Sequence, residues 1–421
     1  MSEPLSGIRV VEMTLAIQGP AAGVFLSDMG ADVIKVEPPI GDPSRYGRGV
    51  ENPTPAGTLG PQFVACNRGK RSVCLDLTTA LGQRALHALL AQADVFLTNY
   101  RASALVRLGL GADTLRERYP RLVYASVNGF GPLGPDADKA MLDGAAVARG
   151  GLLGATGNVG QTPVLPAATI GDHAGALQLA LGVMTALFAR ERHGVAQQVT
   201  TSALGAQLWL QQWELAHVSI TGARLEPAGS HHPNIRGPYG VYATADGGAI
   251  MLAQTMAEEA WDAFCVFADE PALALDERWT SPGKRLGEGA SAADSEAVRA
   301  TLSAAFARRP TAEWVAFLSS EPEIIWERVQ GWHEVLDDPQ VQANGYAAEV
   351  IVPDLGPTRL VGNLVGLSVT PGAVKGGPPK LGADTAAVLA PLGFSPDEIG
   401  AIEREATAAR ETLFALAAAR S

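Results

Sequence analysis

The chain has 421 residues, 47% of them apolar and 18% charged, which is more than one ordinary core accommodates and predicts two globular domains. A net charge of −12 leaves no basic surplus, which excludes non-specific binding to nucleic acid or an anionic membrane but permits a local cationic pocket for a phosphorylated ligand. Three scattered cysteines (Cys66, Cys74 and Cys265), with no C-x-x-C spacing, indicate neither a disulfide framework nor a metal site and fit a reducing, cytoplasmic setting.

The opening residues Met1-Ser2-Glu3-Pro4 lack the basic and apolar regions of a signal peptide. Residues 8–13 then form a short apolar run, and Gly19-Pro20 opens a helical segment to Asp28. A second strand is predicted over 32–37, followed by a long Pro- and Gly-rich loop over 38–62 and a strand over 72–77. In residues 80–93, Leu81, Ala85, Leu86, Leu89, Leu90 and Ala93 share one face of a helix. A strand over 94–98, a helix over 105–118 and a strand over 121–127 continue the rhythm. Such β-α alternation predicts an α/β fold: a Rossmann-like, mostly parallel sheet with helices on both faces. Ligands of such sheets gather at the carboxyl ends of the strands, in loops that begin here at Thr14, Pro38, Thr78, Asn99 and Asn128. No G-x-G-x-x-G follows the first strand and no Walker A sequence occurs, so a dinucleotide cofactor or P-loop chemistry is unsupported.

After a Gly- and Pro-rich approach over 150–170, a single carboxylate, Asp172, stands at the mouth of an apolar helix over 172–192. The run 174–189 is short for a membrane span, contains Gln178 and leads into Arg190-Glu191-Arg192, so a buried core helix is expected. At such an N-terminus a carboxylate meets orphan N–H groups and the positive end of the helix dipole, which favours its ionised form. An N-capping Asp and an anionic nucleophile are both consistent with that position. Near residue 225 the composition changes, and residues 239–244 and 249–253 flank Ala245-Asp246-Gly247-Gly248 as a hairpin would. Helices over 296–308 and 311–319 complete a smaller α+β domain. Short strands over 348–352 and 360–361 follow, and Ser395-Pro396-Asp397-Glu398 caps a last helix. The expected division is 1–200 and 350–421 for the large domain, 225–330 for the small one, and linkers at 201–224 and 331–349.

The chain resembles the class III, CaiB/BaiF-type CoA-transferases. The resemblance is carried, in order, by residues 4–12 (PLSGIRVVE), Gly19-Pro20, residues 30–37 (GADVIKVE), residues 67–77 (NRGKRSVCLDL), Ala93-Asp94-Val95, Asn99-Tyr100-Arg101 and Leu108-Gly109-Leu110. It continues through residues 120–126 (PRLVYAS), Gly171-Asp172, His232-Pro233-Asn234, Asp246-Gly247 and Leu381-Gly382. It implies two copies threaded as an interlocked homodimer, each large domain built from both chain ends. It also implies that Asp172 becomes acylated, through a mixed anhydride and then an aspartyl-CoA thioester, as CoA passes between two carboxylic acids. Acyl-CoA is then a substrate, with no tightly bound cofactor and no metal. CoA contacts are implied at Leu75, Thr78, Asn99, Tyr100, Arg101, Ala102, Arg107 and Lys139. Arg107 and Lys139 suit phosphates, and Tyr100 or Arg101 suits adenine.

Several positions depart from the family pattern. Pro38 stands where an Arg usually helps hold the nucleotide, leaving Arg101 or Arg45 as substitutes. Gly229-Ser230-His231-His232 replaces a run of glycines over the reactive Asp, so Gly229, His231 and His232 become candidate acceptor contacts, or an ordinary turn. Trp326 is either an acceptor-pocket wall or a core aromatic. An acceptor larger than formate or oxalate, an aromatic or branched dicarboxylate, with succinyl-CoA as donor, is the resulting expectation. Two alternatives share the fold: a 2-methylacyl-CoA racemase, whose His is missing from residues 128–149, and a CoA-binding subunit of a heteromeric transferase.

Overall fold

The computed structural model describes residues 2–255 and 258–418. Six parallel strands, β1 (Arg9–Met13), β2 (Asp32–Glu37), β3 (Arg71–Cys74), β4 (Val95–Thr98), β5 (Val123–Asn128) and β6 (Gln198–Ser202), form one sheet in the order β3-β2-β1-β4-β5-β6. Alternation along each strand sends Val11, Ile34, Val73 and Phe96 to one core and Val10, Val33, Val95 and Val123 to the other. The Ala80–Leu90 and Pro396–Ala418 helices cover the first face, and the Gln18–Asp28 and Ile170–His193 helices cover the second. This is the expected α/β architecture with a parallel sheet.

The chain divides into two compact units. One comprises Met1–Gly150, Ala168–Leu210 and Leu336–Ser421, the other Gly151–Ala167 and Gln211–Val335. In the second unit, β7 (Gly240–Ala243), β8 (Ala249–Thr255) and β9 (Ile324–Arg328) form an antiparallel sheet. Tyr242, Trp261, Phe264, Phe306 and Trp314 pack its core, with Phe306 and Trp314 stacked at 4.0 Å between ring centres. The first unit also carries a hairpin of β10 (Ala347–Val352) and β11 (Gly356–Val361).

Three details differ from the sequence expectations. Residues 105–118 are not one helix but two, Ala102–Arg107 and Ala112–Arg118, because the chain turns at Gly109 with φ +72°. Strand β6 was not expected, since a Thr-rich edge strand with partly exposed side chains lacks the apolar run of an inner strand. The Ile170–His193 helix, apolar on almost every side, buries only one stripe that includes Ala176, Leu179, Ala180 and Val183, and leaves Leu177, Leu181 and Phe188 exposed.

Buried charge fixes the carboxyl ends of the first strands. The Lys35 ammonium donates to Glu12 Oε1 at 3.2 Å and to the Thr14 carbonyl at 2.9 Å, and lies 3.1 Å from Asp42 Oδ2. Lys70 lies 2.8 Å from Glu12 Oε2 and donates to the Pro20 carbonyl at 2.8 Å. Asp42 also accepts the Ala16 main-chain N–H at 3.3 Å, where φ is +65°. Removing one cation from such a cluster leaves uncompensated buried carboxylates. Lys35→Met is therefore expected to destabilise the fold by about 3 to 5 kcal/mol in urea unfolding at neutral pH.

Candidate active site

In this sheet the strand order reverses between β1 and β4, the place where open α/β sheets form a crevice beyond their strand ends. The turns that leave the two strands are tied together there. Leu15 N–H donates to Asn99 Oδ1 at 2.9 Å, and Asn99 Nδ2 donates to the Leu15 carbonyl at 2.8 Å. Beside this tie lies a cavity of about 560 Å³, a size suited to a small-molecule substrate. Its wall includes Gln18, Tyr100, Arg101, Asn128, Lys139 and Asp172.

Asp172 is the third residue of the Ile170–His193 helix, so it is not the N-cap. That position is held by Thr169, which makes no side-chain cap. The Asp172 carboxylate, half-buried, accepts no hydrogen bond among the described residues, whereas its main-chain N–H donates to Asp143 Oδ1 at 2.9 Å. Burial and then the nearby Asp143 carboxylate raise its pKa from 3.8 to about 6, against a smaller opposing pull from His173. The expected helix-terminus effect is thus outweighed: the carboxyl is harder to ionise than usual, not easier. It is still mostly anionic at neutral pH, and more basic than an ordinary carboxylate.

The structure places the sequence candidates in three groups. Asn99, Tyr100, Arg101, Ala102, Lys139 and Asp172 share the cavity wall. Burial pushes the Tyr100 phenol up to about 12, so it stays neutral. Arg101 and Lys139 are exposed, and the Lys139 ammonium also lies 5.6 Å from the Phe130 ring centre. Leu75, Thr78 and Arg107 lie outside this wall. Leu75 is fully buried in the core and its N–H serves the Glu37 carbonyl, the exposed Thr78 hydroxyl donates to Asp76 at 2.7 Å, and Arg107 is exposed at the end of its helix.

Gly229, His231, His232 and Trp326 belong to the second unit. There Gly229 lines a smaller pocket with Asn158 and Ser230, and His231 Nδ1 is 3.1 Å from the Tyr239 carbonyl. His232 stacks on Trp213 at 5.1 Å and its Nε2 lies 3.3 Å from Glu214. The Trp326 indole donates to the Leu318 carbonyl at 3.0 Å while its ring packs on the aromatic core, which favours the core reading over the pocket-wall reading. Arg45 is no substitute for the nucleotide cation at Pro38: buried, it pairs with both Glu37 oxygens at 2.8 and 2.6 Å and lies 3.8 Å from the centre of the Phe63 ring. His173 is exposed and lies outside the cavity wall, where a racemase base would have to stand; its Nδ1 is 2.9 Å from the Thr169 carbonyl.

Two residues in this region escaped the sequence reading. Gln18 is buried, and its amide nitrogen has no hydrogen-bond partner among the described residues. Asp143 opens the Asp143–Arg149 helix and reaches the first turn of the Asp172 helix. A polar residue just before Gly19-Pro20, in the turn after the first strand, was the available signal for Gln18. Asp143 gave only an acidic first-turn residue.

A sequence model described as CoA-transferase family III matches residues 5–385. The chain is 30% identical over 406 residues to the cinnamoyl-CoA:phenyllactate CoA-transferase of Clostridium sporogenes, covering 95% of this chain and 96% of the relative. It is 32% identical over 403 residues to the succinyl-CoA–D-citramalate CoA-transferase of Chloroflexus aurantiacus, covering 95% and 97%. A crystal structure of a CaiB/BaiF family protein from Brucella suis superposes with a TM-score of 0.80 at 27% identity, covering 93% of this chain and all of that one.

The raised Asp172 pKa also predicts a stability effect. The native state holds this proton more tightly than the unfolded chain, so the charge costs stability above about pH 6, and the cost fades as pH falls toward 3.8. Asp172→Asn is expected to be more stable than the wild type at pH 8 by about 1 to 2 kcal/mol, discounted for partial exposure, and no more stable below about pH 4. Urea unfolding at both pH values measures this.

Proposed function

The chain belongs to CoA-transferase family III and is a CoA-transferase; on that premise we propose that Asp172 is its acyl carrier. One observation carries the proposal: the half-buried Asp172 carboxylate, without a hydrogen-bond partner among the described residues, sits on the wall of the cavity at the sheet's switch point. An Asp172 oxygen attacks the thioester carbonyl, the C–S bond breaks, and the electron pair leaves on the CoA thiolate. The thiolate then attacks the Asp172 carbonyl of the mixed anhydride, forming the aspartyl-CoA thioester and releasing the donor acid. The acceptor carboxylate attacks this thioester, and the thiolate takes the new acyl group while Asp172 is regenerated. Each nucleophile is an anion, so no general base is needed once Asp172 has ionised.

We assign the Gln18 amide to the developing acyl oxyanion, because a buried donor without a partner can stabilise charge there without prior reorganisation. The pantetheine arm is placed along Tyr100 and Ala102, with Arg101 and Lys139 as the cations for the nucleotide phosphates. Leu75 and Thr78, whose N–H groups already serve the Glu37 carbonyl and Asp76 Oδ1, are left to meet CoA through their main-chain carbonyls, and Arg107 adds an outer charge. The Chloroflexus relative supports succinyl-CoA as donor, and the Clostridium relative supports an aromatic carboxylate as acceptor, with Gly229, His231 and His232 as candidate acceptor contacts. A homodimer is proposed to cover Leu177, Leu181 and Phe188, which are too apolar to remain in water as one stripe. Sedimentation at micromolar concentration is expected to show a dimer, and a monomer would contradict this assignment.

Hydroxylamine added during turnover with succinyl-CoA tests the carrier. Peptide mass spectrometry is expected to find a hydroxamate at Asp172, and Asp172→Ala to lower exchange by at least about a thousandfold. Exchange that survives in Asp172→Ala would assign the acyl group to another residue.

A further inference from the structure

A second carboxylate stands behind the first turn of the Asp172 helix. In that turn the N-cap Thr169 leaves the early N–H groups without a side-chain acceptor. Asp143, 29 residues earlier in sequence, supplies the acceptor for the Asp172 N–H at 2.9 Å. Its close approach depends on Gly171, where a Cβ would sit 3.0 Å from Asp143 Oδ1 and 2.8 Å from the Gln207 amide nitrogen. Any side chain at residue 171 would push Asp143 or Gln207 away. Two elements, the Asp143–Arg149 helix and the first turn of the Ile170–His193 helix, therefore hold an anion against the backbone of the residue that itself carries an anion, with Gln207 packed close by.

We propose that Asp143 is a positioning residue for acyl transfer, which fixes the first turn of the helix and sets a negative charge beside Asp172 that acylation relieves. This rests on Asp172 being the acyl carrier. When an Asp172 oxygen bonds to the thioester carbonyl and the C–S bond breaks, one negative charge moves from Asp172 to the departing thiolate. The repulsion between the two carboxylates therefore acts on the free enzyme and is absent from the anhydride and the aspartyl thioester. The elevated basicity of Asp172, caused first by burial and then by Asp143, is the equilibrium counterpart of that push. The other charged groups nearby are His173 on the same helix, which opposes the effect, and Arg101, Asp138 and Lys139 on the cavity wall.

The full-length wild type, Asp143→Asn and Asp143→Ser are compared by exchange of labelled succinate into succinyl-CoA between about pH 5 and 8. Both variants keep an oxygen acceptor for the Asp172 N–H and lose the charge, and circular dichroism identifies those that fold. The wild-type rate is expected to rise through an acid limb near pH 6, set by the Asp172 carboxyl. In a folded variant the limb is expected to move down by about one pH unit, and the plateau rate to fall severalfold with little change in KM. A purely structural role for Asp143 would lower activity without moving the limb. Hydroxamate at Asp172 in the wild type, with the limb unmoved in the folded variants, overturns this inference alone. Exchange without that hydroxamate overturns the acyl-carrier reading and this inference with it.

Discussion

Asp172 sits where burial and a neighbouring carboxylate both resist its ionisation, yet its carboxyl still titrates near 6. At neutral pH it is therefore mostly charged, but more basic than an exposed aspartate. An acyl carrier benefits from that compromise. A carboxylate stabilised by several N–H donors would be a weak nucleophile, and one buried completely would stay protonated. The half-buried first turn of the helix, with Asp143 engaging the main chain rather than the reacting oxygens, lies between these limits.

The rest of the first unit holds this turn against the cavity. The reversal of strand order at β1 and β4 creates the crevice, and the paired hydrogen bonds between Leu15 and Asn99 close it at one side. Beneath them the cluster of Glu12, Lys35, Asp42 and Lys70 anchors the turn that carries Gln18. Burial lowers the Lys70 pKa to about 8 even with Glu12 beside it, consistent with a cluster shut off from water. A rigid polar foundation of this kind is costly in desolvation. Its benefit is a fixed geometry at the end of the sheet.

Much of the fold was legible because its signals are local. Runs such as residues 32–37, the helical face of residues 80–93 and the capping box at Ser395 and Glu398 each specify an element without reference to the rest of the chain. Asp172 stood out as a candidate because a lone carboxylate opens an apolar helix and because the family resemblance falls on Gly171-Asp172. Asp143 did not, because its role exists only when the chain folds it onto Gly171. Arg45 and Trp326 each allowed two readings in sequence, and packing favours the structural one. A cation near the expected nucleotide and an aromatic near the expected acceptor look functional in sequence, while packing assigns them to Glu37 and to the second unit's core.

Oxygen transfer tests the central claim most directly. With enzyme in excess, an acceptor acid carrying ¹⁸O in both carboxylate oxygens is allowed a single turnover, and the peptide containing residue 172 is weighed. Attack of the acceptor on an aspartyl-CoA thioester leaves one labelled oxygen on Asp172, while the released donor acid carries one oxygen from its own thioester carbonyl, one from the protein and no label. An unlabelled Asp172 together with label in the donor acid would mean that the two acids exchange directly, without Asp172 as carrier.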